Sequence, residues 1–269
     1  MTTHASMNLE ITDGIAEVTL TGPGKGNAMG PDFWRDLPMV FDILDSDDAV
    51  RAVILRGDGP NFSYGLDLPA MAPALASGDT AVDRAKLLDT IQTMQAAVTR
   101  VQTCRKPVIA AVRGWCIGGG LDLIAACDIR LCSTDARFSL REARIAIVAD
   151  IGSLQRLPPI IGEGNTRELA FTARDIDAQR ALRIGLVNEV YDGPQALEDA
   201  ARAMAREIAA NAPLAVQGAK RVLNESQGKP VEEGLRYVAL WNAAYVHTQD
   251  LTEAISAFIE KRPPRYEGR

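Results

Sequence analysis

From residue 8 to 21 apolar side chains alternate with polar ones (Leu9, Ile11, Ile15, Val18, Leu20), and Thr12-Asp-Gly14 breaks the run as a turn. That period belongs to strands with one buried face, so a hairpin is predicted. Gly22-Pro-Gly-Lys-Gly-Asn27 reads as a loop. The spacing then becomes helical: Phe33, Leu37, Val40, Phe41 and Leu44 follow Pro31, which suits a first helical turn, and a helix is predicted over 31–44. A strand at 50–55 leads into a second glycine-bearing loop, Asn61-Phe-Ser-Tyr-Gly-Leu-Asp67. A long helix follows over about 82–102, with Leu87, Ile91, Met94 and Val98 on one stripe read as helix core. Further strands are predicted at 107–112, 128–132 and 136–140, with a helix from about Leu121 between the first two. Beyond about Pro158 the pattern is helical at 164–172, 177–184, 195–211, 214–225, 231–247 and 252–261, with one strand at 186–190. Alternating strands and helices imply an α/β core with helices covering the sheet. The expected organisation is a core over 1–200 and a C-terminal helical region over 201–269. Tail helices with little sheet to cover are expected to pack on another subunit.

The densest chemistry lies in Arg113-Gly-Trp-Cys-Ile-Gly-Gly-Gly-Leu-Asp122. Three glycines between an apolar strand and a helix let backbone N–H groups approach a ligand, because no Cβ stands in the way. The first turn of the helix then presents unpaired N–H groups, a natural place for negative charge. A carbonyl bound there would have its enolate stabilised, and a nearby carboxylate could move the proton. Three acids are candidates. Asp122 sits in the first helical turn, where a carboxylate is also favourable simply by opposing the helix dipole. Glu142 stands between Arg141 and Arg144, a setting that equally suits a surface ion pair. Asp150 ends the apolar run Ile145-Ala-Ile-Val-Ala149, so it is either the N-cap of a helix starting near Gly152 or a buried, perturbed acid.

Composition narrows the class. A formal net charge of −6 argues against nucleic acid as a partner. Two histidines and four cysteines without CxxC spacing make a metal site improbable. No apolar run reaches membrane-spanning length, and no secretory or Ser-Lys-Leu signal is present, so a cytoplasmic setting is the expectation. Ser63 and Ser153 lack a histidine in a plausible triad position.

The loops Phe62-Ser-Tyr-Gly-Leu-Asp-Leu68 and Gly114-Trp-Cys-Ile-Gly-Gly-Gly120, with the segment Gly152-Ser-Leu-Gln-Arg-Leu-Pro158, resemble the crotonase (enoyl-CoA hydratase/isomerase) superfamily over nearly the whole chain. The resemblance implies a spiral of repeated ββα units with a C-terminal helical oligomerisation region, a homotrimer or dimer of trimers, and an acyl-CoA thioester substrate. No cofactor is implied beyond the coenzyme A of the substrate, and neither a membrane nor a nucleic-acid partner. By position it assigns an oxyanion hole to the N–H groups of Tyr64 and Gly119, with Gly118, Leu66 and Asp67 as substrate-binding neighbours. Tyr64 departs from the small residue usual in the family, which leaves it as a packing residue or one that reshapes the acyl pocket. Asp122 and Glu142 match the acid pair of the hydratases. The trio Asp122, Glu142 and Asp150 is similar to that of the Δ3,5-Δ2,4-dienoyl-CoA isomerases, with Glu142 as base at C2, Asp150 as acid at C6 and Asp122 tuning the pair. Lys25, Arg56, Lys261 and Arg262 are candidates for the CoA phosphates, and Phe258 and Lys261 are expected to reach a neighbouring subunit's ligand. The alternatives are a 2-enoyl-CoA hydratase in which Asp150 only caps a helix, and an acyl-CoA- or RNA-binding relative without catalysis.

Overall fold

The computed structural model describes residues 2–23, 26–76, 78 and 80–269. The chain opens with β1 (Thr2–Thr3), β2 (Met7–Thr12) and β3 (Ile15–Leu20). Asp13 and Gly14 both take positive φ (51° and 76°) in the turn joining β2 to β3, the conformation that a tight hairpin requires. Then come α1 (Pro31–Ser46), β4 (Ala52–Gly57), α2 (Leu68–Leu75) and α3 (Ala81–Thr103). The apolar period does not mark α2, which contains two prolines; Pro69 lies in its first turn, where no donor is needed, and Asp67 caps it. The central part runs β5 (Val108–Val112), β6 (Trp115–Ile117), α4 (Gly119–Ala125), β7 (Ile129–Ser133), β8 (Arg137–Ser139), a single 3-10 turn (Glu142–Ile145), α5 (Ser153–Ile161) and α6 (Glu163–Thr172). The rest is β9 (Ile176–Asp177), α7 (Ala178–Arg183), β10 (Glu189–Tyr191), α8 (Gly193–Ala209), α9 (Pro213–Ser226), α10 (Val231–Tyr245) and α11 (Gln249–Glu260).

One sheet has the order β1-β2-β3-β4-β5-β7-β10, parallel from β3 onward; the other is β6-β8-β9. Successive units send one strand to each sheet: β5 then β6, β7 then β8, and after β4 the residue Ser63, which bridges Cys116 of β6. The ββα repetition expected from the sequence is therefore present. Every residue of β5 is buried, as parallel strands covered on both faces must be. Alternation divides them: Val53, Leu55, Val108, Ala110 and Val112 enter the main core, while Ala52, Ile54, Ile109 and Ala111 pack against Leu197, Ala201 and Ala205 of α8. Helix α8 thus runs across the expected boundary at residue 200 while packed on the sheet, and the helices that leave the sheet begin with α9. Lys220 of α9 reaches back to Asp128 (2.7 Å) and to Lys106 O (3.0 Å).

Candidate active site

β6 pairs with β8 and stops at Ile117. Gly118 follows with φ +54°, donates its N–H to Ser139 O (3.0 Å) and turns its carbonyl to accept from Leu121 N (2.7 Å) and Asp122 N (3.1 Å). Gly119 becomes the first residue of α4, whose N–H no helix carbonyl can accept. The loop 63–67 descends onto this helix end at Gly65. A Cβ on Gly65 would stand 2.7 Å from Ile117 O and 2.8 Å from Gly119 N, so only glycine permits the approach.

Four of the five loop N–H groups are engaged. Ser63 donates to Trp115 O, Tyr64 to Gly26 O (2.7 Å), Gly65 to Ser63 Oγ (3.0 Å) and Asp67 to Met29 O (3.2 Å). Leu66 N–H has no acceptor among the described residues, and its nitrogen lies 3.7 Å from where a Cβ on Gly119 would be. The unpaired donors that this contact brings close together at the cavity are thus those of Leu66 and Gly119. This corrects the expectation for Tyr64, whose N–H is already engaged. The reason is geometric: Met29 bridges Leu66 in parallel, and in that pairing the N–H of Leu66 points away from its bridging partner. Tyr64 contributes its ring instead, which lies against Gly26 and lines the cavity in front of the two donors.

That cavity measures about 420 Å³. Its wall is mainly apolar: Trp34 of α1, Leu75 of α2, Leu87, Ile91 and Met94 of α3, then Ile117, Ile145, Ile147 and Ile151. The α3 stripe read as helix core is therefore in large part the lining of a cavity; Val98 alone of the four stays outside it. All three candidate acids open into the same space.

Asp122 is 1 % exposed, and its Oδ1 accepts from Ser153 N at 2.5 Å, so it serves the N-terminus of α5 from the neighbouring helix. Burial pushes its carboxyl up to about 6 against the opposing pull of the Ser153 hydrogen bond. Glu142 stands at the head of the 3-10 turn, with Oε1 3.3 Å from where a Cβ on Gly118 would be. Its Oε2 is buried without a partner among the described residues. The surface ion-pair alternative is overturned, because Arg141 pairs with Asp175. Burial, followed by the charges of Asp122 and Asp150, pushes Glu142 up to about 7. Asp150 is raised by burial. It is not a helix cap: Gly152 holds the N-cap position of α5 without a side-chain bond, and Asp122 takes the first N–H.

Other candidates lie elsewhere. Asp67 accepts from Ala70 N (3.0 Å) as the cap of α2 and does not line the cavity. Arg56 is held by Glu17 and Glu198, and Arg262 by Glu253 and Glu260, which removes both as free phosphate ligands. Lys25 lies outside the described residues. Phe258 and Lys261 are exposed at the end of α11 and do not border the cavity of their own chain. Trp241 stacks on Tyr245 (4.6 Å) and covers Gly218, joining α10 to α9.

The sequence model described as enoyl-CoA hydratase/isomerase matches residues 10–269. The chain belongs to that family. Within it, the chain is 43% identical to a mitochondrial Delta(3,5)-Delta(2,4)-dienoyl-CoA isomerase of Dictyostelium discoideum, over 98% of this chain and 92% of the relative. It is also 43% identical to a peroxisomal protein of the same name from Arabidopsis thaliana, over 99% of each. Among solved structures, an enoyl-CoA hydratase from Bacillus anthracis superposes with a TM-score of 0.90 at 31% identity, over 98% of this chain and all of that one. The fold is the crotonase-type α/β spiral, and the protein is an enzyme of the enoyl-CoA hydratase/isomerase family. The expected cytoplasmic setting is corrected by the same relatives, which are named mitochondrial and peroxisomal. Sorting is read by receptors from short addresses rather than from fold or composition, so the features that mark the enzyme do not set its compartment.

Proposed function

We propose that the protein converts 3,5-dienoyl-CoA to 2,4-dienoyl-CoA. One observation carries the reading: Asp150, free of any capping role, joins Asp122 and Glu142 in one apolar cavity. Two relatives bearing that activity in their names support it. Moving both double bonds requires a proton to leave C2 and another to arrive at C6, at opposite ends of a dienolate, so one carboxyl does not serve both carbons. The thioester oxygen is held by the N–H groups of Leu66 and Gly119, which bind it more strongly as charge develops there. Glu142, beside Gly118 and so beside that oxygen, takes the C2 proton; a base near 7 is matched to neutral pH. Asp150, which lines the same apolar cavity, delivers the C6 proton. Asp122 stays ionised on Ser153 N–H and tunes Glu142. Proton transfer alone completes the reaction, with no cofactor besides the CoA of the substrate. Phe258, Lys261 and Lys25 serve the CoA moiety, the first two across a subunit boundary in a homotrimer or dimer of trimers.

The test is spectrophotometric. 3,5-Dienoyl-CoA is supplied and the conjugated 2,4-dienoyl product is followed, beside a parallel assay of 2-enoyl-CoA hydration. Conjugated product that disappears in Asp150→Asn, with acyl-CoA binding kept, supports the three-acid mechanism. Hydration alone would replace it with the Asp122–Glu142 hydratase reading.

A further inference from the structure

Asp150 borders two cavities. Besides the apolar one, a second, more open space of about 790 Å³ carries the polar side chains of Gln95, Thr99, Gln102, Gln155, Arg156 and Asn224 among apolar surface from Ile151 and Pro159. Asp150 and Ile151 are the residues common to both. The partition between them is braced. Gln95 Nε2 donates to Asp150 O (2.6 Å), and Arg156 donates to Gln102 Oε1 (2.9 Å), Thr99 Oγ1 (2.9 Å) and Ile151 O (3.3 Å). Asp122 and Glu142 border only the apolar cavity, and Asp122 is fully buried.

Resting on the isomerase reading above, each turnover leaves the protons misplaced. The C2–H bond breaks, its proton passes to the Glu142 carboxylate and its electron pair enters the dienolate. The C6–H bond forms with the Asp150 proton, and Asp150 becomes a carboxylate. Before the next turnover Glu142 must lose one proton and Asp150 must gain one, with no net change. A proton crossing between them would traverse an apolar cavity filled by the acyl chain, where a bare charge is costly. We propose that the polar cavity is the proton-exchange route of Asp150: water there reprotonates it, and the hydrogen delivered to C6 comes from solvent, not from C2. Glu142 returns its own proton to water through the mouth of the apolar cavity when product leaves.

Labelling tests the route. Substrate deuterated at both C2 positions is converted in ordinary water, unlabelled substrate is converted in D2O, and C6 of the product is read by NMR. No deuterium is expected at C6 in the first case and one is expected in the second. Gln155→Phe, on the exposed side of α5, narrows the polar cavity without touching the apolar one. It is expected to keep the single-turnover rate within about twofold while the steady-state rate falls about fivefold, because resetting becomes limiting. Deuterium carried from C2 to C6, or a normally melting Gln155→Phe variant with an unchanged steady-state rate, overturns the route while leaving the isomerase reading intact. Failure to form any conjugated product removes that reading, and this proposal with it.

Discussion

Glu142 is the residue whose environment most constrains the chemistry. Its carboxyl is pushed up to about 7 by burial and then by the charge of Asp122, so isomerisation that requires it as a base rises with pH through a limb centred near that value. Asp122→Asn removes the raising charge, and the limb in kcat/KM should move to lower pH by roughly half to one unit. A limb that stays put would assign it to another group. The same shift acts on stability. A carboxyl raised on folding from 4.5 to about 7 makes its full contribution below 4.5, and loses it as pH rises through about 7. Glu142→Gln should therefore melt above the unaltered protein at pH 8, by on the order of 1 kcal/mol or about 2–4 °C, and show no gain at pH 4.5. Scanning calorimetry at the two pH values reads the difference directly. Of these site residues, Asp150 stood out in the sequence as an acid ending a run of five apolar residues, but that pattern left a helix cap and a buried acid equally open, and only the resemblance to the isomerases favoured the second. Leu66 as the donor was not legible there, since its N–H is left free only by bonds that the rest of the loop makes to Gly26 and Met29, distant in sequence.

At the scale of elements, the site depends on a loop lying against a helix end. The elements with a strong period are found where the pattern puts them: the hairpin, α1, α3 and the buried strands. Helix α2 escaped because Pro69 and Pro73 mask it, and β6 because three residues are too few to show alternation. Contact between Gly65 and Gly119 follows from no local pattern; it appears only when β4 and β5 lie side by side and carry their following loops to one end of the sheet. Gly65→Ala tests the dependence. A Cβ there meets backbone on both sides at 2.7 and 2.8 Å, and φ +78° is strained for alanine. The loop should lift from α4 and separate the two donors, lowering kcat by about 10²–10³ with KM less affected. Circular dichroism should stay native, because the strain is confined to a loop. Unchanged kcat would mean that these donors are not the ones that act.

For the whole molecule, the C-terminal helices pose the question of what covers them. Helix α10 buries none of its residues, and on α11 the side chains of Ile255, Phe258 and Ile259 are 54 %, 85 % and 72 % exposed. These three recur at i, i+3 and i+4, so they form one apolar stripe rather than scattered surface residues. This exposed stripe is what the proposed self-association would cover, and it lies on the helix that carries Phe258, which does not border the cavity of its own subunit. If the chain self-associates as proposed, Ile255→Glu with Ile259→Glu, which places two like charges on the stripe, should leave single chains at micromolar concentration, read by sedimentation velocity. If the tail serves the neighbour's ligand, the dissociated variant should also show a KM for acyl-CoA raised about tenfold or more, with the pH limb of Glu142 unmoved, since the three acids sit wholly within one chain. A variant that dissociates yet keeps its KM would confine Phe258 and Lys261 to the interface. One that remains assembled would move the contact to another face of α9 and α10.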